Sequence, residues 1–151
     1  MTSYGDIVYG AGIPLLPFET SVPSFGGNVW FVNGSASGVG NSPQSPFNLL
    51  SSAISAAQSG DTIFVFPGSY TGNYTIAKDY ISIVGGNLSG YGRPDLTPDT
   101  GSCMTVDAQG FVARGLRFSS ADDADCVIQH GNGFRYTDCV FDGDGQGATS
   151  A

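Results

Sequence analysis

The C-terminal half of the chain contains an ungapped internal repeat with a period of 23 residues. The segment 103–111 aligns with the segment 126–134, and Cys, Gly and Phe recur at the same offsets in both. A fixed period of this length, built from short β-prone runs separated by Gly and Asn turns, is what one coil of a β-solenoid requires. The leucine framework of leucine-rich repeats is missing. The repeat therefore predicts a parallel β-helix with coils of about 23 residues.

Matched positions of successive coils are expected to lie above one another inside such a solenoid, since neighbouring strands are roughly 4.8 Å apart. The apolar residues at matched positions are predicted to form three core stacks: Cys103 with Cys126, Phe111 with Phe134, and Phe118 with Phe141. A further step back along the chain places Ile81 and Ile83 opposite Met104 and Val106. The same period is therefore expected to extend into the preceding coil.

The composition agrees with a protein of strands and turns. The chain has 23 Gly, 10 Phe and 7 Tyr, and only 12% of its residues are charged, so residues that favour strands and turns predominate. A short β-prone run lies at 28–32, and the continuous apolar run 63–66 is typical of a strand that is buried on both faces. We therefore expect an all-β domain over residues 27–151, with coils from residue 61 onward.

The segment 46–58 has a helical period instead. The apolar residues on one of its faces are Phe47, Leu50, Ile54 and Ala57. This spacing is typical of an amphipathic helix, for which Ser45 suits the N-cap and Gly60 the C-terminal cap. Pro46 suits the first helical position. A helix before the first coil would cover the open end of the apolar core, where an uncovered strand edge invites aggregation.

Residues 1–26 differ from the rest of the chain. Pro14, Pro17 and Pro23 interrupt them, and neither helical nor strand periodicity is sustained. Their apolar side chains include Ile7, Val8, Tyr9, Ile13, Leu15, Leu16 and Phe18. Two interpretations are open: an extended lead-in that packs along its own domain, or an arm that anchors the protein in a partner surface. We favour the anchor, because an apolar segment without its own core buries itself against another surface.

The formal net charge of −8 argues against two classes of partner. Nucleic-acid binding and docking onto anionic lipid both depend on clustered cations, whereas this chain has 5 basic and 13 acidic residues. No apolar run approaches the roughly 20 residues of a membrane span, and we expect no signal peptide. Cys103, Cys126 and Cys139 have no metal-type spacing. We expect them to be reduced, after synthesis in a reducing cytoplasm.

The segment 28–70 has a recognisable order of parts. It reads Val-Trp-Phe-Val, a loop rich in Gly, Ser and Asn, Ser-Pro-Phe, a helical stretch, and then Gly-Asp-Thr-Ile-x-Val-x-Pro-Gly-x-Tyr. This order resembles the opening of pectate-lyase-like right-handed β-helices, especially those of head-fibre, decoration and tailspike proteins of tailed bacteriophages. The similarity covers residues 28–145. It implies a right-handed parallel β-helix that forms parallel homotrimers and attaches to the virus particle through an N-terminal arm.

The candidates for chemistry are acidic residues near two turns. They are Asp122, Asp123, Asp125, Asp138, Asp142 and Asp144. Stacked turns would form either solvated acidic loops, which we favour, or a weak Ca²⁺ site. His130 has no companion histidine and is expected at a surface turn. Arg114, Arg117 and Arg135 are expected to pair with neighbouring Asp residues. We therefore expect no catalytic residue, no metal site and no cofactor.

These inferences favour a structural protein on the virion surface of a tailed bacteriophage, made in the host cytoplasm, over an enzyme. The expected partners are further copies of the chain in a homotrimer, capsid or tail proteins, and a host cell-surface glycan. The alternative is a polysaccharide-degrading tailspike or lyase whose active groove lies beyond this segment. The last residues, 145–151, follow a coil without a sign of the closing cap that terminal repeats need. Either the protein continues, or oligomerisation closes this end.

Overall fold

The computed structural model describes residues 27–86 and 92–143, in which the chain forms twelve short strands and one helix. The strands are β1 (Val29–Val32), β2 (Thr62–Val65), β3 (Ser69–Thr71), β4 (Tyr74–Ile76), β5 (Ser82–Gly85), β6 (Asp95–Thr97), β7 (Met104–Val106), β8 (Val112–Arg114), β9 (Arg117–Ser119), β10 (Val127–Gln129), β11 (Arg135–Thr137) and β12 (Val140–Asp142). The helix α1 (Leu50–Ala56) lies between β1 and β2 in the chain. The predicted arm, 1–26, lies outside the described residues.

The strands form three sheets in which neighbouring strands are parallel. The five-stranded sheet has the order β11–β8–β5–β2–β1, the four-stranded sheet β12–β9–β6–β3, and the three-stranded sheet β10–β7–β4. From β2 onward, consecutive strands enter these sheets in rotation. Two strands of the same sheet are thus connected through one strand in each of the other two sheets, and this connection is the crossover that parallel pairing needs. The protein is mostly β, as predicted, and its three parallel sheets are consistent with a β-helix-like solenoid.

The register of the last pairs follows the internal repeat. Met104 of β7 pairs with Val127 of β10, and Phe118 of β9 pairs with Phe141 of β12. In both pairs the partners are 23 residues apart. Strand pairing therefore brings together the residues that the sequence alignment matched in this part of the chain.

The extension of that register to the preceding turn is wrong. Ile83 pairs with Ala113, not with Val106, and Val106 pairs instead with Ile76. The partners are 30 residues apart in both of these pairs, because the connection between β5 and β6 is long in this turn. Extra residues in the connections change the sequence distance between paired strands without changing the pairing itself.

Alternate strand residues point into the solenoid and form its core. Ile63, Ile83 and Ala113 are paired in register in the five-stranded sheet and are fully buried. Leu96 and Phe118 form the corresponding buried pair in the four-stranded sheet. Burying a large apolar side chain contributes about 1.5–3 kcal/mol. These inward columns are therefore a main source of the stability of the solenoid.

The helix is shorter than the predicted span 46–58 and begins later, at Leu50. The preceding residues form extended backbone instead, since the Phe47 N–H donates to the Phe31 carbonyl, at 2.8 Å, and Phe47 is bridged to Val32. The predicted N-cap Ser45 does not cap the helix, because its hydroxyl accepts the Val39 N–H at 3.3 Å. Pairing with β1 thus takes the residues that local sequence signals assigned to the first helical turn.

Candidate functional site

The end of the solenoid at β1 and α1, here called the leading end, is built around the carboxylate of Asp61. This side chain is only 2% exposed. Its Oδ1 accepts the Asn28 N–H at 2.8 Å, and its Oδ2 accepts the Trp30 indole N–H at 2.9 Å and the Gln58 N–H at 2.8 Å. The three donors come from β1, from the residue before it and from the connection after α1. One carboxylate therefore joins the first strand and the helix to β2.

The charge of Asp61 is maintained by these donors. Burial alone would raise the pKa of the carboxyl group, but the hydrogen bonds from Gln58, Trp30 and Asn28 outweigh it, and the nearby Lys78 ammonium adds to them. The net result is a pKa below the ordinary value for Asp. Lys78 itself donates to the carbonyl of Ala57 at 2.5 Å, at the C-terminal end of α1, where a cation is favourable.

The chain enters the leading end at a fixed point. Gly27, the first described residue, packs against the backbone of Gly60, where a Cβ atom at residue 27 would lie 2.2 Å from the Gly60 carbonyl oxygen. Only glycine fits this approach. The predicted anchoring residues Ile7, Val8, Tyr9, Ile13, Leu15, Leu16 and Phe18 lie outside the described residues. The structure nevertheless defines where the segment that carries them joins the solenoid.

The opposite end, here called the trailing end, consists of β10, β11 and β12 and leaves aromatic side chains accessible. The predicted pair Phe118 and Phe141 is stacked, with ring centroids 5.4 Å apart. The predicted pair Phe111 and Phe134 differs from the expectation, since both rings contact Tyr136 instead, at 5.8 and 5.9 Å. Phe111 and Phe118 are fully buried, whereas Phe134 and Phe141 are 50% and 51% exposed. No further described strand covers the last turn.

The third predicted pair, Cys103 and Cys126, lies in the same region. The Cys103 N–H donates to the Cys126 carbonyl at 3.1 Å, and both residues are free thiols. Cys103 is fully buried, and burial together with the nearby Cys126 raises its pKa to about 12. A thiol with such a pKa is almost entirely protonated at neutral pH, so Cys103 is a poor nucleophile.

The acidic residues do not assemble a metal site within 27–86 and 92–143. No group of three or more His, Cys, Asp or Glu side chains in these ranges could hold a metal ion. Asp138 pairs with Arg93 at 3.5 Å, and Asp142 pairs with Arg117. Asp144 lies outside the described residues.

Two of the remaining predicted residues form polar pairs on the surface. Arg117 is in register with Asp95 on the four-stranded sheet, at 4.0 Å, and is also bonded to Asp142, two residues beyond its register partner Val140. Both carboxylates raise the pKa of the guanidinium. The His130 Nδ1 lies 2.5 Å from the Asp107 Oδ1. These are exposed pairs, which typically contribute little to stability.

An aromatic surface on the outside of the five-stranded sheet was not predicted from the sequence. Phe64, within the run expected to be buried on both faces, is paired with Phe31 and Val84 and is half-buried. Its ring lies 6.1 Å from that of Phe31 and 5.3 Å from that of Phe66. Arg114 continues the same outward column. We call Phe31, Phe64, Phe66, Val84 and Arg114 the aromatic face. Strand alternation could have indicated it, because Ile63 and Phe64 must point to opposite sides.

Comparison with models of known protein families finds none that matches the chain, and comparison with curated proteins finds no significant match. Among the described residues, no helix has the length and apolar character that a membrane crossing requires.

Proposed function

We propose that the protein is a structural, non-enzymatic component of a tailed-bacteriophage particle, a head fibre, decoration protein or tail-associated spike. In this proposal, residues 1–26 attach to capsid or tail proteins, and a right-handed β-helix projects from the particle as a parallel homotrimer. Host-surface adhesion is its proposed task, with a cell-surface glycan as the ligand.

The observation that carries this proposal is the construction of the leading end. The close approach of Gly27 to Gly60 and the hydrogen bonds of Asp61 fix the point at which residues 1–26 meet the solenoid. A force applied through an anchored arm would therefore act on a backbone that is held by these contacts and not on an unsupported strand. The trailing end lies at the other extreme of the solenoid and would face away from the attachment surface.

The finer features of the fold fit this role. α1 packs against β1 and β2 and would serve as the cap of the leading end. Coils of about 23 residues, the spacing of the last pairs, would extend the shaft by roughly 4.8 Å each. A projecting shaft of stacked coils gains length without a larger cross-section.

Binding of purified protein to phage particles that lack it tests the proposal. The full chain should bind, whereas deletion of residues 1–24 and the double variant Leu15→Asp/Leu16→Asp should not, with circular dichroism spectra like that of the full chain. Val39→Asp is the matched control, because Val39 is apolar and 60% exposed but lies in a loop of the solenoid domain. Retained binding by the deletion variant would refute the role of the arm.

A further inference from the structure

The outer surfaces of the sheets differ in chemistry. Apart from Val140, the outward positions of the four-stranded sheet are polar, and Arg117 there pairs with both Asp95 and Asp142. The aromatic face of the five-stranded sheet has three phenylalanines and a valine instead. These four residues are partly exposed. Singly exposed apolar residues are ordinary, but a contiguous apolar group at the surface usually marks a contact surface.

The charge of this sheet is opposite to that of the chain. None of the 13 acidic residues occupies an outward position of its described strands, whereas two of the 5 basic residues, Arg114 and Arg135, do. Both arginines are exposed. A surface that combines aromatic side chains with arginine and lacks acids has the composition of the centre of a protein interface. It is also complementary to a partner whose surface is acidic.

A second copy of this chain has such a surface. Its net charge is −8, and no acidic residue lies at an outward position of the described strands of its five-stranded sheet. Its acidic residues therefore lie on its other surfaces or outside those strands. We propose that the aromatic face is the contact between copies of the chain, with Phe31, Phe64 and Val84 packing against the neighbouring copy and Arg114 directed at its acidic surface. This inference rests on the homotrimer of the proposed function.

The packing around Phe64 supports a face shaped to present rings. The aromatic ring lies over Gly86, where a Cβ atom would approach the Phe64 Cζ to 2.9 Å. Glycine at this position leaves room for the Phe64 ring, which meets the Phe66 ring edge to face at an interplanar angle of 79°, and a larger residue would displace it. Rings in this arrangement offer both faces and edges to another protein surface.

Three variants of the full chain test the inference. Val84→Asp and Arg114→Asp alter the aromatic face, and Arg114 is an exposed residue whose replacement leaves the core intact. Val140→Asp introduces the same change as Val84→Asp, but on the outside of the four-stranded sheet, where Val140 pairs with Arg117. Light scattering after size exclusion gives the oligomeric state, and circular dichroism verifies that each variant keeps its β-structure.

The full chain and Val140→Asp should have the mass of a trimer, and the two variants of the aromatic face should self-associate at least tenfold more weakly. A trimer that survives both changes would refute the assignment of this face while leaving the trimer of the proposed function intact. A full chain that is monomeric would refute both the contact between copies and the trimer of the proposed function. Attachment through residues 1–26 is measured separately and does not depend on either result.

Discussion

Asp61 offers the sharpest test of how the leading end is held together. Replacing it with Ala removes the acceptor of three donors, the Asn28 and Gln58 N–H groups and the Trp30 indole. A hydrogen bond to a charged group contributes about 1.5–3 kcal/mol, and an unsatisfied buried donor costs about 1–3 kcal/mol. Because water can reach part of this end once the carboxylate is gone, we expect a loss of about 3–5 kcal/mol in the free energy of unfolding.

Asp61→Asn should cost about half as much. Its single carbonyl oxygen can replace Oδ2 and keep two of the donors, but its NH₂ group then faces the Asn28 N–H. Urea unfolding monitored by fluorescence is a suitable assay, since Trp30 is the one tryptophan of the chain and is bonded to Asp61. The matched control is Asp122→Asn, in an exposed turn whose positive φ of 56° Asn tolerates as well as Asp.

The stability should also depend on pH in a defined direction. The folded-state pKa of Asp61 lies below the ordinary value of 3.8, so the folded protein binds its proton less readily than the unfolded chain. The contribution of the carboxylate is therefore fully present above the unfolded pKa and is lost as the pH falls through the folded pKa. The difference between wild type and Asp61→Asn should shrink from pH 7 towards pH 3. A constant difference, or a loss no larger than that of Asp122→Asn, would refute this account.

Three further predictions concern the core and the turns. Phe118→Ala should lower the free energy of unfolding in urea by about 3–5 kcal/mol. Phe141→Ala should lower it by less than half of that, because Phe118 is fully buried and Phe141 is 51% exposed. Equal losses would mean that the trailing end is covered. Gly110→Ala should destabilise the protein more than Gly92→Ala, although both residues have positive φ, because of the two only Gly110 has a neighbour that a Cβ atom would meet, the Tyr80 ring at 2.3 Å. The melting temperature of Gly110→Ala should therefore be the lower one, and the reverse order would contradict the packing. In thiol titration with a disulfide reagent, Cys103 should stay unreactive until the protein unfolds, since it is buried with a pKa of about 12, whereas rapid modification of Cys103 in the native protein would show that this part of the core opens.

The internal repeat predicted the parallel pairing of the last turns, because Met104 and Phe118 are followed by connections that keep their partners 23 residues away. It did not predict the preceding turn, because connection length is set by local chain geometry and not by the pairing. The prediction of where the helix begins was wrong for a different reason. Ser45 and Pro46 are good local signals, but backbone pairing of Phe47 with β1 outweighed them.

The candidate site was less predictable than the fold. In sequence, Asp61 follows a glycine and precedes a strand, which is also the pattern of an exposed turn. Its three donors are in place only because the fold brings Asp61 next to Asn28, which is 33 residues earlier in the chain, and next to Trp30 and Gln58. Phe64 was assigned to a strand buried on both sides because its neighbours are apolar, whereas the described residues bury Ile63 completely and leave Phe64, on the opposite side, only half-buried.

The unequal turns have a practical consequence for protein engineering. The distance between paired residues is 20 for β2 and β5, 30 for β5 and β8, and 23 for β8 and β11, yet all four strands remain neighbours in one sheet. Loop closure becomes only slowly more costly with length, so a peptide inserted at an exposed corner such as Asp99–Thr100 should leave the ladder intact. Each turn would then display its insert at a defined height, with steps of roughly 4.8 Å. The choice of turn would therefore set the distance between inserted ligands, tags or epitopes.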